Sequence, residues 1–125
     1  MVDPEIQRRN RYSKLKGAKF EVDVVSYLRS HGFTADRISR SGKNDQGDAV
    51  ITAPFEHTVI ECKAEKSINL SGYLKELETE VMNHAIARGM MPHDIGGVVV
   101  VKARGKSIGQ SYVVTTLDRW IEEKK

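Results

Sequence analysis

Four consecutive valines at residues 98–101 constrain the fold of this chain more than any other feature of its sequence. Valine favours strands, and a strand without polar alternation is one that is buried on both faces. Such strands occupy interior positions in sheets that carry helices on their two sides. The valine run therefore predicts an α/β fold in which helices flank a central sheet.

Other segments supply the elements that such a sheet requires. The patterns predict strands at residues 33–40, 47–53, 58–64, 97–103 and 112–116, and helices at residues 16–30, 71–88 and 117–123. Gly32 and Gly89 follow the first two helices, where glycine commonly ends a helix. A chain of 125 residues suits one domain and is too short for two. We therefore expect a single domain over residues 1–125 with five strands.

The composition excludes several classes of protein. A single cysteine excludes an internal disulfide and a cysteine-based zinc site. The sequence has no run close to the roughly 18 apolar residues of a membrane span. Residues 1–10 are polar and lack the apolar segment of a secretory signal. We therefore expect a cytoplasmic protein with no membrane partner.

Two ionisable residues interrupt the apolar strand predicted at residues 58–64. Glu61 and Lys63 are two positions apart, so their side chains share one face of the strand. Charges there are costly unless they bind a metal, a substrate or each other. Asp48, on the preceding strand, shares that face in either pairing register centred near Pro54, opposite Glu61 or Lys63. A slip of one residue would place Asp48 on the opposite face.

A third carboxylate belongs to the helix predicted at residues 16–30. Phe20, Val24 and Leu28 form its apolar stripe, and Glu21 falls inside that stripe. An acid in this position either bends out to solvent, forms a salt bridge or joins a site. One lysine cannot neutralise three inward carboxylates, so the combination favours a site.

The three carboxylates suggest a hard divalent cation and phosphodiester chemistry. Glu21, Asp48 and Glu61 form an oxygen-rich set that suits Mg²⁺, with Mn²⁺ as a substitute. The backbone carbonyl of Cys62 is a further candidate ligand, whereas the Cys62 thiol alternates away and is expected to pack in the core. Lys63 would favour hydroxide formation and stabilise the charge of a phosphorane-like transition state. The alternative is that Lys63 only neutralises a carboxylate in a structural ion pair.

Basic residues are concentrated near the N-terminus. The net charge of +3 is weak evidence for nucleic-acid binding, but residues 8–19 contain no acidic side chain. The six basic residues of this segment are Arg8, Arg9, Arg11, Lys14, Lys16 and Lys19. Such a patch neutralises phosphates and gives salt-dependent affinity for DNA, although a solvated charge run has the same pattern. We expect residues 1–15 to form a flexible basic arm.

The order of these residues resembles that of a known nuclease superfamily. Glu21, Asp48 and the Glu61-x-Lys63 pair, on a helix and two strands, are similar to the PD-(D/E)xK pattern. Segments 16–21, 47–48 and 60–63 most resemble archaeal-type Holliday junction resolvases and their phage relatives, with Gly47 where the superfamily name has proline. The resemblance implies a restriction-endonuclease-like domain with a mixed sheet, metal ligation by the three carboxylates, and water activation or transition-state stabilisation by Lys63.

The resemblance also implies DNA contacts and an oligomeric state. In this family the loop beside the first strands often contacts DNA, and its counterparts here are Ser39, Arg40, Ser41 and Lys43. A four-way junction has approximate two-fold symmetry and needs two matched cuts, so we expect a homodimer. The helix at residues 71–88 and the pair Met90 and Met91 are candidates for its interface, although core packing explains the methionines equally well.

The leading hypothesis is therefore a Mg²⁺-dependent endodeoxyribonuclease that cuts four-way junctions. A restriction-like or repair endonuclease of the same superfamily is an alternative. A non-catalytic nucleic-acid-binding module with the same fold, and a structural protein with buried salt bridges, are two others.

Overall fold

A mixed five-stranded sheet with a long helix on each face forms the fold. The computed structural model describes residues 3–39, 45–54 and 57–125. The helices are α1 (Pro4–Ser30), α2 (Leu70–Arg88) and α3 (Leu117–Glu123). The strands are β1 (Thr34–Arg37), β2 (Ala49–Ala53), β3 (Thr58–Lys63), β4 (Gly96–Val101) and β5 (Tyr112–Val114). Short 3-10 turns occupy Pro92–Asp94 and Ile108–Gln110. Within the described ranges, none of the helices has the length and apolar character that a membrane span needs.

The strands lie side by side in chain order, from β1 to β5. Strands β3 and β4 pair in parallel, with α2 connecting them, and the other neighbours are antiparallel. The predicted mixed five-stranded sheet is therefore confirmed. Strand β2 begins at Ala49 and not at the predicted Gly47, because the φ angle of 100° at Gly47 is incompatible with an extended chain.

The valine run forms β4 and packs against both helical layers. Val99 and Val101 belong to the apolar cluster under α2, together with Val59 of β3. Val100 belongs to the cluster under α1, together with Ile60 of β3. Because β4 also pairs with a strand on each side, it is an interior strand buried on both faces, as predicted.

Helix α1 begins at Pro4, well before the predicted start at Lys16. The side chain of Asp3 caps it by accepting a hydrogen bond of 3.0 Å from the backbone N–H of Glu5, and Pro4 occupies the first turn. The basic residues that follow are good helix formers, so nothing interrupts the helix before Phe20 packs on the sheet. Residues 4–15 are therefore helical, which differs from the flexible arm predicted for residues 1–15.

Candidate active site

Asp48 and Glu61 lie together where β2 and β3 begin to pair. The register pairs Ala49 with Ile60, so Asp48 continues the ladder opposite Glu61. The backbone N–H of Asp48 donates to the Ile60 carbonyl at 3.0 Å, and the backbone N–H of Cys62 donates to Asp48 Oδ2 at 2.8 Å. Asp48 is 8% exposed and Glu61 is 4% exposed. This is one of the two registers that the sequence predicted, and it brings the two carboxylates into contact.

Glu21 reaches Asp48 from the other helical layer. Its side chain is partly buried at the edge of α1, and its Oε2 accepts a hydrogen bond of 2.9 Å from Arg37 of β1. It also lies within hydrogen-bonding contact of the Asp48 carboxyl. Glu21 therefore forms the salt bridge that the sequence left open as an alternative, and it also joins the acidic group.

Burial and mutual repulsion make these carboxyls hard to ionise. Burial is the main cause that raises the pKa of Asp48 to about 7, and contact with Glu61 adds to it. Burial likewise raises the pKa of Glu61 to about 8, with Glu80 adding to the effect. The pKa of Glu21 is also raised, mainly by burial and by Asp48, although Arg37 opposes the shift. A bound cation would stabilise the ionised form of all three groups.

Lys63 lies on the same face as Glu61 but bonds to α2. Its Nζ donates to Glu76 Oε2 at 2.8 Å and lies 5.1 Å from the centre of the Tyr73 ring. Burial lowers the pKa of Lys63, but the hydrogen bond to Glu76 and the charge of Glu61 outweigh it, so the pKa is raised overall. The lysine is consequently charged at neutral pH, which suits charge stabilisation better than action as a base.

Two acids that the sequence analysis did not select complete the acidic group. Glu80 of α2 is 3% exposed, and its carboxyl contacts that of Glu61. Asp45 lies in the segment that precedes β2. One oxygen from each of Asp45, Glu61 and Glu80 lies within 4.8 Å of the others. Burial is also the main cause that raises the pKa of Glu80 to about 7.

A sequence signal for Glu80 existed in the helical period. The helical period of Leu74, Leu77, Val81 and Ala85 predicts an aliphatic stripe on this helix. Tyr73 and His84 are also buried in the structure. When these two residues are counted as part of the buried stripe, the stripe becomes wider and includes the position of Glu80. Glu80, like Glu21, is therefore an acid at the position of a buried stripe. Asp45 carries no comparable periodic signal because it lies outside the regular elements.

The donor set fits a hard divalent cation. The groups are carboxylates that are buried and mutually repulsive, and oxygen ligands are those that Mg²⁺ and Mn²⁺ prefer. The Cys62 side chain instead packs against the apolar cluster under α1, and burial raises the pKa of its thiol. The prediction that this thiol packs in the core is therefore confirmed.

The predicted DNA-contacting residues fall into three groups. The side chains of Arg8, Arg9, Arg11, Lys14, Lys16 and Lys19 are exposed along α1. Lys19 is paired with Asp23 at 3.0 Å. Ser39 is exposed and lines a cleft of about 330 Å³ that also contains Glu21, Arg37 and Asp48. Arg40, Ser41 and Lys43 lie outside the described residues.

The structure also contains a basic cleft that the sequence did not predict. Its volume is about 220 Å³, and Lys16 of α1 lines it together with Lys66, Lys102 and Arg104. The last three follow the C-terminal ends of β3 and β4, next to Lys63. A larger apolar cleft of about 770 Å³ lies on the α1 side of the sheet. Tyr27 is one of the residues that line it, and none of the predicted catalytic residues does.

Comparison with known proteins identifies the family. Residues 12–104 match the family described as archaeal Holliday junction resolvase (Hjc), and this span includes Glu21, Asp48, Glu61 and Lys63. The chain belongs to the Hjc family. Membership confirms the predicted Holliday junction resolvase, an endonuclease of the PD-(D/E)xK superfamily.

A solved Hjc structure has the same fold. The Holliday junction resolvase Hjc from the archaeal hyperthermophile Archaeoglobus fulgidus superposes with a TM-score of 0.50 at 22% sequence identity. The match covers 73% of this chain and 72% of the other. At that identity the similarity concerns the fold, and it confirms the predicted single domain with a helix-flanked mixed sheet. None of the curated proteins matches this Hjc family member in sequence.

Proposed function

We propose that this Hjc family member is a Mg²⁺-dependent homodimeric endonuclease that hydrolyses phosphodiester bonds at four-way DNA junctions. The observation that carries the proposal is the contact between the buried carboxyls of Asp48 and Glu61, joined by Glu21 and accompanied by a charged Lys63. Its proposed site of action is the cytoplasm, in association with DNA.

Each residue of the proposed site has a distinct task. Glu21, Asp48, Glu61 and the Cys62 carbonyl would hold the cation, for which Mn²⁺ substitutes. When bound, the cation supplies Lewis acidity and lowers the pKa of a coordinated water. The hydrogen bond from the Cys62 N–H orients Asp48, and Arg37 orients Glu21. In the reaction a bond forms between the water oxygen and phosphorus while one ester P–O bond breaks. The water gives up a proton, and the departing ester oxygen takes up a proton and leaves as a hydroxyl.

Lys63 would stabilise the charge that gathers on the phosphoryl oxygens. Glu76 and Tyr73 fix the position of its ammonium group before the substrate binds. A donor held in place in this way costs little reorganisation in the transition state. The raised pKa of Lys63 keeps the group charged over the neutral range.

The surrounding basic surface is proposed to bind the DNA backbone. The exposed residues of α1, from Arg8 to Lys19, would contact phosphates on one side of the site. Ser39 and, by the family resemblance, Arg40, Ser41 and Lys43 would contact DNA beside Glu21. Lys66, Lys102 and Arg104 extend this charge beyond Lys63. Affinity for DNA should therefore fall steeply with added salt.

A second copy of the chain is proposed to supply the second active site. The C-terminal half of α2 carries two large exposed apolar side chains, Met82 and Ile86, one helical turn apart. Met91 is also exposed just beyond the helix. This patch is the proposed dimer interface, and two-fold symmetry would give the junction its two cuts.

A cleavage assay on the full chain tests the proposal. Four-way junctions, flaps and linear duplexes are compared with Mg²⁺, with Mn²⁺ and with a chelator. We expect cuts at the junction with either metal and none with the chelator. Asp48→Asn should abolish cleavage while leaving junction binding intact, because it removes a ligand and no surface charge. Equal cutting of all three substrates would point to a restriction-like or repair endonuclease, and cleavage unaffected by Asp48→Asn would refute the site.

A further inference from the structure

Glu80 has a buried carboxylate oxygen that no donor satisfies. The side chain is almost fully buried, and among the described residues none hydrogen-bonds to its Oε2. Its carboxyl contacts Glu61, which is itself an acid. An ionised carboxylate that is buried among other acids is destabilising unless a cation accompanies it. The proposed site at Glu21, Asp48 and Glu61 supplies no partner for this oxygen of Glu80.

The surroundings of Glu80 have the dimensions of a cation site. One oxygen from each of Asp45, Glu61 and Glu80 lies within 4.8 Å of the others. Around Mg²⁺, with ligands at about 2.1 Å, opposite oxygens are separated by about 4.2 Å, and around Ca²⁺ they are separated by about 5 Å. Three oxygens with these separations lie within about 2.8 Å of a common centre, so shifts of up to about 0.7 Å would bring them to the Mg²⁺ ligand distance of about 2.1 Å.

The segment carrying Asp45 is fixed to the same helix as Glu80. Asn83, one turn along α2, donates from Nδ2 to the Asp45 carbonyl at 2.8 Å. The backbone N–H of Gly47 donates to Asp45 Oδ1 at 2.9 Å. A Cβ atom at Gly47 would lie 3.5 Å from Glu80 Oε2, so the unsatisfied oxygen is directed at this turn. The acids are thus held together by contacts outside the acidic group.

We propose that Asp45, Glu61 and Glu80 form a second divalent-cation site, which shares Glu61 with the site of the proposed function and rests on that function. Glu61 lies between the two sets of ligands, with Asp48 on one side and Glu80 on the other. A cation in the second site would relieve the repulsion between Glu61 and Glu80. It would also keep Glu61 ionised and in place for the first site.

Titration with Mn²⁺ alone, in the absence of DNA, tests the second site. Binding to the full chain is measured by calorimetry and by the electron paramagnetic resonance signal of free Mn²⁺. We expect two ions per wild-type chain and one in Glu80→Gln, a change that keeps the shape of the side chain. Glu123→Gln, an exposed acid of α3, is the control and should retain two.

Thermal melting of the same variants gives a second readout. Without metal, Glu80→Gln should melt at or above the wild-type temperature, because an unsatisfied acid has been removed. Mn²⁺ should raise the melting temperature of the wild type more than that of the variant, since a ligand that binds only the folded state stabilises it.

The outcomes separate this proposal from the proposed function. If Glu80→Gln binds as many ions as the wild type and gains equally in melting temperature, the second site does not exist. The proposed function would survive that result provided that Asp48→Asn still abolishes junction cleavage. A wild-type chain that binds no Mn²⁺ in either measurement would contradict both.

Discussion

At the scale of single residues, Lys63 shows how a side chain can be charged and positioned at once. It lies two residues from Glu61 on the same face of β3, yet its hydrogen bond is made to Glu76 of α2. That bond competes with a simple structural pairing between Lys63 and Glu61, which the sequence left open. The ammonium group is therefore shared between the helix and the acidic site.

Replacement of Lys63 should abolish catalysis without preventing binding. Lys63→Met keeps the length of the side chain and removes its charge, so we expect the cleavage rate to fall by about 100-fold or more. The single-turnover rate and the junction affinity are measured separately. Glu76→Gln serves as the control: it weakens the position of Lys63 without removing its charge, and its loss should be clearly smaller. If Lys63→Met lost junction affinity while its single-turnover rate stayed at the wild-type value, Lys63 would be assigned to DNA binding.

The raised pKa values of the carboxyls predict how stability depends on pH. In the unfolded chain these groups ionise near pH 4, whereas folding raises the pKa of Asp48 to about 7 and that of Glu61 to about 8. Between those limits the folded state holds more protons, so stability falls as the pH rises from about 4 to about 8. Without metal the melting temperature should drop by several degrees over this range.

Two comparisons identify the cause of that pH dependence. Saturating Mn²⁺ should flatten the upper part of the curve, because the ion stabilises the ionised carboxylates. Asp48→Asn should flatten the dependence of the melting temperature on pH even in the absence of metal, because the variant lacks one of the titrating carboxyls. A metal-free melting temperature that rises from pH 5 to pH 8 would contradict the expected direction.

At the scale of elements, the turn before β2 decides where the acids lie. Gly47 has a φ angle of 100°, which proline cannot adopt because its ring fixes φ near −65°. A Cβ atom at this position would also lie only 2.6 Å from Val59 Cγ1. The departure from the superfamily name at this residue is therefore a requirement of the turn, which places Asp45 against α2 and Asp48 against β3.

Substitution of Gly47 should consequently destabilise the protein. We expect Gly47→Ala to lower the free energy of unfolding by about 2–4 kcal/mol, from backbone strain and the contact with Val59. Denaturant unfolding measures the change. Gly17→Ala is the matched control, because Gly17 lies within α1 with open space around it. That control should be neutral or stabilising by up to about 1 kcal/mol, and a similar effect of both substitutions would contradict the role of the turn.

At the scale of the whole molecule, the two layers of the sheet bring the site together. Glu21 comes from α1, Glu61 and Lys63 from the sheet, and Glu80 from α2 on the opposite face. The acids meet where β2 and β3 begin to pair, the place at which both helical layers have access to the same end of the sheet.

Disruption of the proposed homodimer should change both the molecular mass in solution and the pattern of cleavage. Ile86→Asp introduces a charge into the exposed patch on α2, so we expect the wild-type dimer to become a monomer in light scattering coupled to gel filtration. The monomer should nick single strands of the junction but no longer make paired cuts. Leu117→Asp, at an exposed apolar position on α3, is the control and should remain dimeric. A dimer that survives Ile86→Asp would place the interface elsewhere.

The sequence by itself determined those features that depend on local periodicity. The two-residue period of strands placed Glu61 and Lys63 on one face, and the helical period placed Glu21 inside an apolar stripe. The valine run predicted an interior strand because no other environment suits it. The order of the three acids and the lysine was enough to indicate the nuclease family, since that order is independent of how the layers pack.

Only the tertiary structure decided the partners of these residues. The contacts of Glu61 with Glu80, of Lys63 with Glu76 and of Glu21 with Arg37 join elements that are distant in sequence. Such contacts depend on the rotation of each helix about its axis and on the register of its packing, which local periodicity fixes only to within a residue or so. For the same physical reason Asp45, held by Asn83 across the turn, had no signature in the sequence.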